Sequence, residues 1–266
     1  MIVKDKSIVV TGGGNGVGRE LVLSLLSRGA QVIAVDINKE ALDETVRISG
    51  NNEKLSIHVV DISNKQSVFS FAEEVILKYG KVDGLINNAG IIQPFVNLKD
   101  LEFDKLDKVM NINFYGTLFM TKAFLPHLLK QPEAHITNIS SMGGFLPVPG
   151  QSIYGASKAA VKLMTEGLYS ELSNTGVHVT IVFPGGMATN IKKNSNINES
   201  NTTAEGNSSK LLLSPEKAAD MIINAMEKNR YRVFIGKDCN IMNFLYKISP
   251  VFATQMINNV LGSKAH

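Results

Sequence analysis

The run Ser7-Ile8-Val9-Val10-Thr11-Gly12-Gly13-Gly14-Asn15-Gly16-Val17-Gly18 opens with apolar residues of strand character and breaks into glycines. From Arg19 to Arg28 the apolar positions Leu21, Val22, Leu25 and Leu26 fall at helical spacing, so strand, glycine-rich turn and helix follow in that order. Such a turn lets the backbone approach a pyrophosphate, and the N-terminus of the following helix meets its charge with unpaired N–H groups. The next apolar run, Gln31 to Val35, ends in Asp36. An acidic side chain at that point accepts hydrogen bonds from the hydroxyls of an adenosine ribose.

Outward from this unit, strands are read near Leu55 to Val60, Gly84 to Ile86, Ala134 to Ile139, His178 to Phe183 and Arg232 to Ile235. Helical patterns lie between them. Ser63 is expected to cap a helix running to Tyr79, with Phe69, Ala72, Val75 and Ile76 as its buried stripe. A long helix from about Phe103 to Lys130 is expected to break near Asn113, and others run from Tyr154 to Thr175 and from Pro215 to Lys228. Pro184 stops the sixth strand. Alternation of strand and helix implies one α/β domain over residues 1–266, a Rossmann-type doubly wound parallel sheet of about seven strands. Ligands of such sheets bind at the carboxyl ends of the strands, where Asp36, Asp61, Asn87 and Ser141 fall.

A second cluster points to chemistry. Tyr154 and Lys158 are four residues apart in a helical stretch and project from one face. An ammonium beside a phenol favours the phenolate, so the pair is expected to bring the Tyr154 pKa down toward working pH and make it a general acid/base. The Ser140-Ser141 pair lies just upstream.

These residues resemble the short-chain dehydrogenase/reductase family. The resemblance rests on Gly12, Gly16 and Gly18 in the loop, Asn87-Asn88-Ala89-Gly90, Asn113 in Asn113-Phe114-Tyr115-Gly116, Ser141, Tyr154 with Lys158, and Pro184-Gly185 followed by Thr189. It implies a catalytic set of Asn113, Ser141, Tyr154 and Lys158. The family's spacing favours Ser141 over Ser140, and its Asn-x-x-Gly pattern favours Asn113 over Asn111. The resemblance further implies dinucleotide contacts at Gly12, Asn15, Gly16, Val17, Gly18, Asp36, Asp61, Ile62, Asn88, Ala89, Gly90, Tyr154, Lys158, Pro184, Gly185 and Thr189. It gives Tyr154 the alcohol proton, Ser141 a hydrogen bond to the reacting oxygen, Lys158 the nicotinamide ribose, and Asn113 a water that relays protons from Lys158. Asp36 should repel a 2′-phosphate, and Asn15 and Ile37 stand where similar NADP enzymes carry basic residues, so NAD is the expected cofactor and NADP the lesser one.

The substrate is expected to contact Ser141, Met142, Phe145 and Tyr154. The segments Ile91 to Val96 and Met142 to Val148 are apolar, which favours a small hydrophobic alcohol or ketone over a sugar. Two other readings stand beside it: an NADPH-dependent 3-oxoacyl thioester reductase, and a dinucleotide-binding sensor or scaffold without turnover. The five His residues show no ligand spacing, so no metal is expected.

The net charge is +3 with acidic and basic residues interspersed, which gives no footprint for nucleic acid. The single Cys239 excludes an internal disulfide. With no secretory signal and no apolar run long enough to span a bilayer, a cytoplasmic address is expected. Between about 190 and 210 the chain is polar and aperiodic, and is read as a mobile substrate lid. The tail from about 241 to 266 is apolar. A helix from Val251 to Leu261 is expected there, with Phe252, Met256 and Val260 in its stripe beside Ala253 and Ile257. Three readings stand for this tail: packing on its own subunit or across an oligomer interface, a membrane-surface anchor, and a wall of the substrate entrance. Burial against protein, most simply in a homodimer or homotetramer, is favoured over a membrane surface.

Overall fold

The computed structural model describes residues 1–186 and 213–261, the last two by backbone alone. The proposed lid and Thr189 lie outside these residues. Seven strands form one parallel sheet in the order β3-β2-β1-β4-β5-β6-β7. They are β1 (Ser7–Thr11), β2 (Gln31–Asp36), β3 (Leu55–Val59), β4 (Gly84–Asn87), β5 (Ala134–Ile139), β6 (Val177–Pro184) and β7 (Arg232–Ile235). Helices α1 (Gly16–Ser27), α2 (Lys39–Ile48), α3 (Lys65–Tyr79), α4 (Phe103–Met110), α5 (Thr117–Leu128), α6 (Ser152–Glu171) and α7 (Pro215–Glu227) alternate with the strands, and α8 (Lys237–Ile248) and α9 (Pro250–Leu261) follow the last one.

Side-chain alternation along the strands explains the two covered faces. Ile8 and Val10 point into a core shared with Leu21, Val22 and Leu25 of α1 and Ile222 and Met226 of α7. Val9 points the other way, with Ile33, Leu85 and Ile136, onto Phe71 and Val75 of α3 and Met120 and Phe124 of α5. The chain lays down β1, β2 and β3 toward one edge and then returns to place β4 on the free side of β1. That reversal opens a crevice at the carboxyl ends of β1 and β4.

The break expected near Asn113 is a π-helical segment, Asn111–Gly116, between α4 and α5. Gly116 belongs there because an added Cβ would meet Ile62 Cδ1 at 2.7 Å.

Several local expectations are corrected. Asn64, not Ser63, caps α3, its side chain accepting from Ser67 N–H at 3.0 Å. Ser63 instead donates to Asp61 Oδ1 at 2.6 Å and closes the preceding turn. The buried stripe of α3 is Val68, Phe71, Ala72 and Val75, while Phe69 and Ile76 are its half-buried flanks. Pro184 is the last residue of β6 rather than a stop before it. The stretch before α9 is helical as α8, and Met242 of α8 packs with Ala253 and Ile257 of α9 over Leu146. This turns the expected stripe: Ala253 and Ile257 are the buried positions, whereas Phe252 and Met256 are exposed. Among the described residues no helix is long and apolar enough to cross a membrane.

Candidate active site

The glycine loop is held by contacts that leave little room for side chains. Asn15 caps α1 and its Oδ1 accepts from Gly16 N–H at 2.7 Å. Thr11, at the end of β1, ties the loop to β4: its hydroxyl accepts from the N–H groups of Asn88 and Ala89, each at 3.0 Å. Asn88 Nδ2 returns a bond to the Thr11 carbonyl at 3.0 Å. Asp36, at the end of β2, is fixed by two backbone donors, Gly14 N–H at 3.0 Å and Asn38 N–H at 3.1 Å. Arg19 turns away from this carboxylate toward the loop backbone and α2. Its guanidinium bonds the Gly14 carbonyl at 2.6 Å and the Thr45 hydroxyl at 3.1 Å.

A cavity of about 600 Å³ runs along the strand ends. Every expected dinucleotide contact within the described residues lines it, from Gly12 of β1's loop through Asp36, Asp61 and Asn88 to Pro184 and Gly185. Ser141, Tyr154 and Lys158 stand on the same wall. Spacing alone had not singled out Val60, Ile112 or Ile139, which also line it; they become neighbours only when the sheet forms.

The two serines separate cleanly. Ser140 is buried and donates to the Lys158 carbonyl at 2.8 Å, so it braces α6. Ser141 forms a side-chain hydrogen bond with Tyr154 and accepts from Gly143 N–H at 3.1 Å. Gly143 lies against the phenol ring, where an added Cβ would meet Tyr154 Cε1 at 3.3 Å. The two asparagines separate as well: Asn111 is exposed, while Asn113 is fully buried. Asn113 Oδ1 accepts from Ile91 N–H at 2.9 Å, and Nδ2 donates to the Ile91 carbonyl at 2.9 Å and to Ser157 Oγ at 3.0 Å. Both amide N–H groups are used, so the side chain braces the Ile91 segment. It sits beside the lysine: a Cβ on Gly90 would meet Lys158 Nζ at 3.1 Å and Asn113 Oδ1 at 3.2 Å.

The expected depression of the tyrosine pKa is not what the surroundings produce. Burial pushes the Tyr154 phenol above its ordinary value, and the hydrogen bond with Ser141 only opposes this. Burial also brings Lys158 down to about 8, with Nζ donating to the Ile139 carbonyl at 3.0 Å. Both groups therefore lean toward their neutral forms.

The lysine shift carries a sign for stability. Below about pH 8 the folded and unfolded states both hold the proton and the cost of the buried charge is fully present, whereas between about 8 and 10.5 only the unfolded state holds it. Stability from this group therefore rises with pH across that window, by about 3 kcal/mol. Lys158→Met should lack the rise, so the difference in urea unfolding free energy between wild type and variant should move in favour of wild type from pH 8 to pH 10.5. A constant difference would contradict the buried ammonium.

Met142 and Phe145, expected at the substrate, are half-buried and pack against apolar neighbours. The Phe145 ring meets Phe183, Phe234 and Tyr246 at centroid distances of 5.7, 5.9 and 6.1 Å, and Met142 joins the same apolar clusters. Met242 and Tyr246 of α8 belong to the same apolar cluster, which leaves Met142 and Phe145 half-buried. Ile91 and Ile92 do line the cavity. Among the described residues no group of side chains could hold a metal ion.

A family model described as short chain dehydrogenase matches residues 6–200. A protein of Mycobacterium tuberculosis named "Putative oxidoreductase SadH" is 35% identical over 252 residues, which cover 92% of this chain and 91% of that protein. Among solved structures, a short-chain dehydrogenase from Burkholderia cenocepacia in complex with NADP superposes with a TM-score of 0.82 at 26% identity, covering 97% of this chain and 99% of that one. A short-chain dehydrogenase/reductase from Burkholderia phymatum in complex with NAD gives 0.80 at 27% identity, over 88% of this chain and 90% of the other.

Proposed function

The chain belongs to the short-chain dehydrogenase family and is an oxidoreductase that binds a nicotinamide dinucleotide; from that premise we propose that it moves a hydride between NAD(H) and a small hydrophobic alcohol or ketone. The observation that carries the reading is the convergence of Ser141, Tyr154 and Lys158 on the cavity that Gly12, Asp36 and Asn88 also line.

In the oxidative direction Tyr154 takes the alcohol proton and Ser141 holds the reacting oxygen, which fixes orientation and opposes developing charge. A dinucleotide held by Gly12, Asp36 and Asn88 would supply the hydride acceptor. Lys158, with one N–H on Ile139 O, keeps its remaining donors for the ribose and for the phenol. Asn113 keeps Ile91 in place beside them. The apolar wall of Ile91, Ile92, Ile112 and Ile139 supports a hydrophobic substrate. Exposed Phe244, Ile248 and Phe252 on α8 and α9 support assembly as a homodimer or homotetramer.

Asp36 supports NAD over NADP. Its two oxygens already accept backbone N–H groups, which fixes the carboxylate at the strand end where a 2′-phosphate would have to lie. Asp36→Ala is expected to weaken NADH and to tighten NADPH relative to it, about tenfold or more in the ratio of dissociation constants measured by titration calorimetry, since 1.4 kcal/mol is tenfold. Tighter binding of NADPH than NADH by the wild-type protein would remove this role.

A panel of apolar alcohols, ketones and acyl thioesters, followed by nicotinamide absorbance with both cofactors, tests the reaction. Turnover of 3-oxoacyl thioesters with NADPH alone would replace this reading with the thioester reductase, and absence of turnover with intact dinucleotide binding would favour a sensor.

A further inference from the structure

Helix α6, which carries Tyr154 and Lys158, begins without a cap from its own chain segment: Gln151 at the N-cap makes no side-chain bond to the helix. Its first N–H groups are met from another part of the fold. Gln93 Oε1 accepts from Ile153 N–H and from Tyr154 N–H, each at 2.9 Å. Gln93 Nε2 donates to the Gly150 carbonyl at 3.0 Å, so the side chain grips both the turn before the helix and its first residues. Gln151 completes the exchange, its Nε2 donating to the Gln93 carbonyl at 2.8 Å. Gln93 is fully buried and Gln151 is 3% exposed. Both polar atoms of the Gln93 amide are thus met, and an unmet N–H at this depth is costly, so Gln93 holds one arrangement strongly; Gln151 takes part through its Nε2 alone, its Oε1 having no partner.

Gln93 also ends the segment whose Ile91 and Ile92 line the cavity. We propose that Gln93 is a positioning residue for the reaction, setting the height and rotation of the Tyr154 phenol against the Ile91–Ile92 wall through the reciprocal amide clamp with Gln151. The inference rests on the reading of Tyr154 as the acid/base. The clamp acts on the peptide N–H of Tyr154 itself, so a change at Gln93 reaches the phenol before it reaches the glycine loop or Asp36. A misplacement of about 1 Å at a reacting group costs on the order of 100-fold in rate.

The test is a double-mutant cycle of Gln93→Met with Tyr154→Phe, read as kcat at saturating cofactor together with the dinucleotide dissociation constant. Methionine keeps the length and removes both amide functions. Gln93→Met is expected to lower kcat on the order of 100-fold when Tyr154 is present and less than about threefold when it is Phe, because the two changes act through one group. Dinucleotide affinity should be unchanged, and Gln93→Glu, which restores an acceptor to the two N–H groups, should recover part of kcat. Equal losses in both backgrounds, or wild-type kcat in a folded Gln93→Met protein, would overturn the proposal. Should Gln93→Met not fold, the same cycle is run with Gln151→Met under the same criteria. Wild-type kcat in Tyr154→Phe alone would sink the reading of the active site and not the clamp in particular, so the two failures are distinguishable.

Discussion

Tyr154→Phe is expected to lower kcat by about 10²–10⁴-fold, the range of a lost general acid/base, with fold and dinucleotide affinity retained. The hydroxyl is the only group removed, and the ring keeps its seat against Gly143. Its hydrogen bond with Ser141 disappears, but Ser141 retains the Gly143 N–H. Because burial raises the phenol pKa, the neutral form persists to higher pH than in an exposed tyrosine. Carbonyl reduction needs the proton and alcohol oxidation needs its absence, so kcat/KM for oxidation should climb with pH and that for reduction should fall. Steady-state kinetics of both directions, with circular dichroism to verify folding, measures this. Near wild-type kcat in the variant would take Tyr154 out of the mechanism.

Among the described glycines, Gly18→Ala should be the most damaging addition of a single methyl. A Cβ there would collide with the Gly12 carbonyl oxygen and would stand 2.6 Å from Asn88 Nδ2, the group that ties the loop to β4. The first of these obstacles is backbone, which has no rotamer into which to retreat. A cost of about 3 kcal/mol in stability is expected, at the upper end for overpacking. Relief by shifting the loop would move the pyrophosphate cradle, so dinucleotide affinity should fall about 100-fold, the equivalent of about 2.8 kcal/mol. Gly16→Ala is the control for space: no atom lies within 4 Å of an added Cβ there, and its cost comes from a φ of +53°. Denaturant unfolding and calorimetric titration of the two variants check the ranking, and an unperturbed Gly18→Ala protein would contradict the packing of the loop.

What the sequence revealed and what it hid divide along a physical line. The loop, Asp36 and the Tyr154–Lys158 pair were legible because each depends on spacing within one segment, 3.6 residues per turn for the pair and a strand end for the acid. The seven-stranded parallel sheet was legible for the same reason, since alternation of periods carries its topology. Gln93 was not legible: nothing about its neighbours in sequence indicates that its amide meets a helix that starts at Ser152. Met142 and Phe145 were read as pocket lining from the apolar run they sit in, and their packing against α8 was not legible because that helix lies about a hundred residues further along the chain. The direction of the Tyr154 shift was hidden too, because depth of burial is a property of the assembled fold, and here it outweighs the opposing hydrogen bond with Ser141. The rotated stripe of α9 has a similar cause. Periodicity locates an apolar face of about the right width, but the partner decides which of its edges is covered.

The cavity that joins the ends of six strands has a consequence for the lifetime of the protein. Residues from Gly12 to Gly185 meet around it, so a bound dinucleotide bridges segments that are distant in the chain and exist together only in the native state. A ligand held in this way draws the folding equilibrium by mass action, by about 2.7 kcal/mol when its free concentration is a hundred times its dissociation constant. The population open to proteases would then shrink about a hundredfold, and would grow again whenever the free nicotinamide pool ran low.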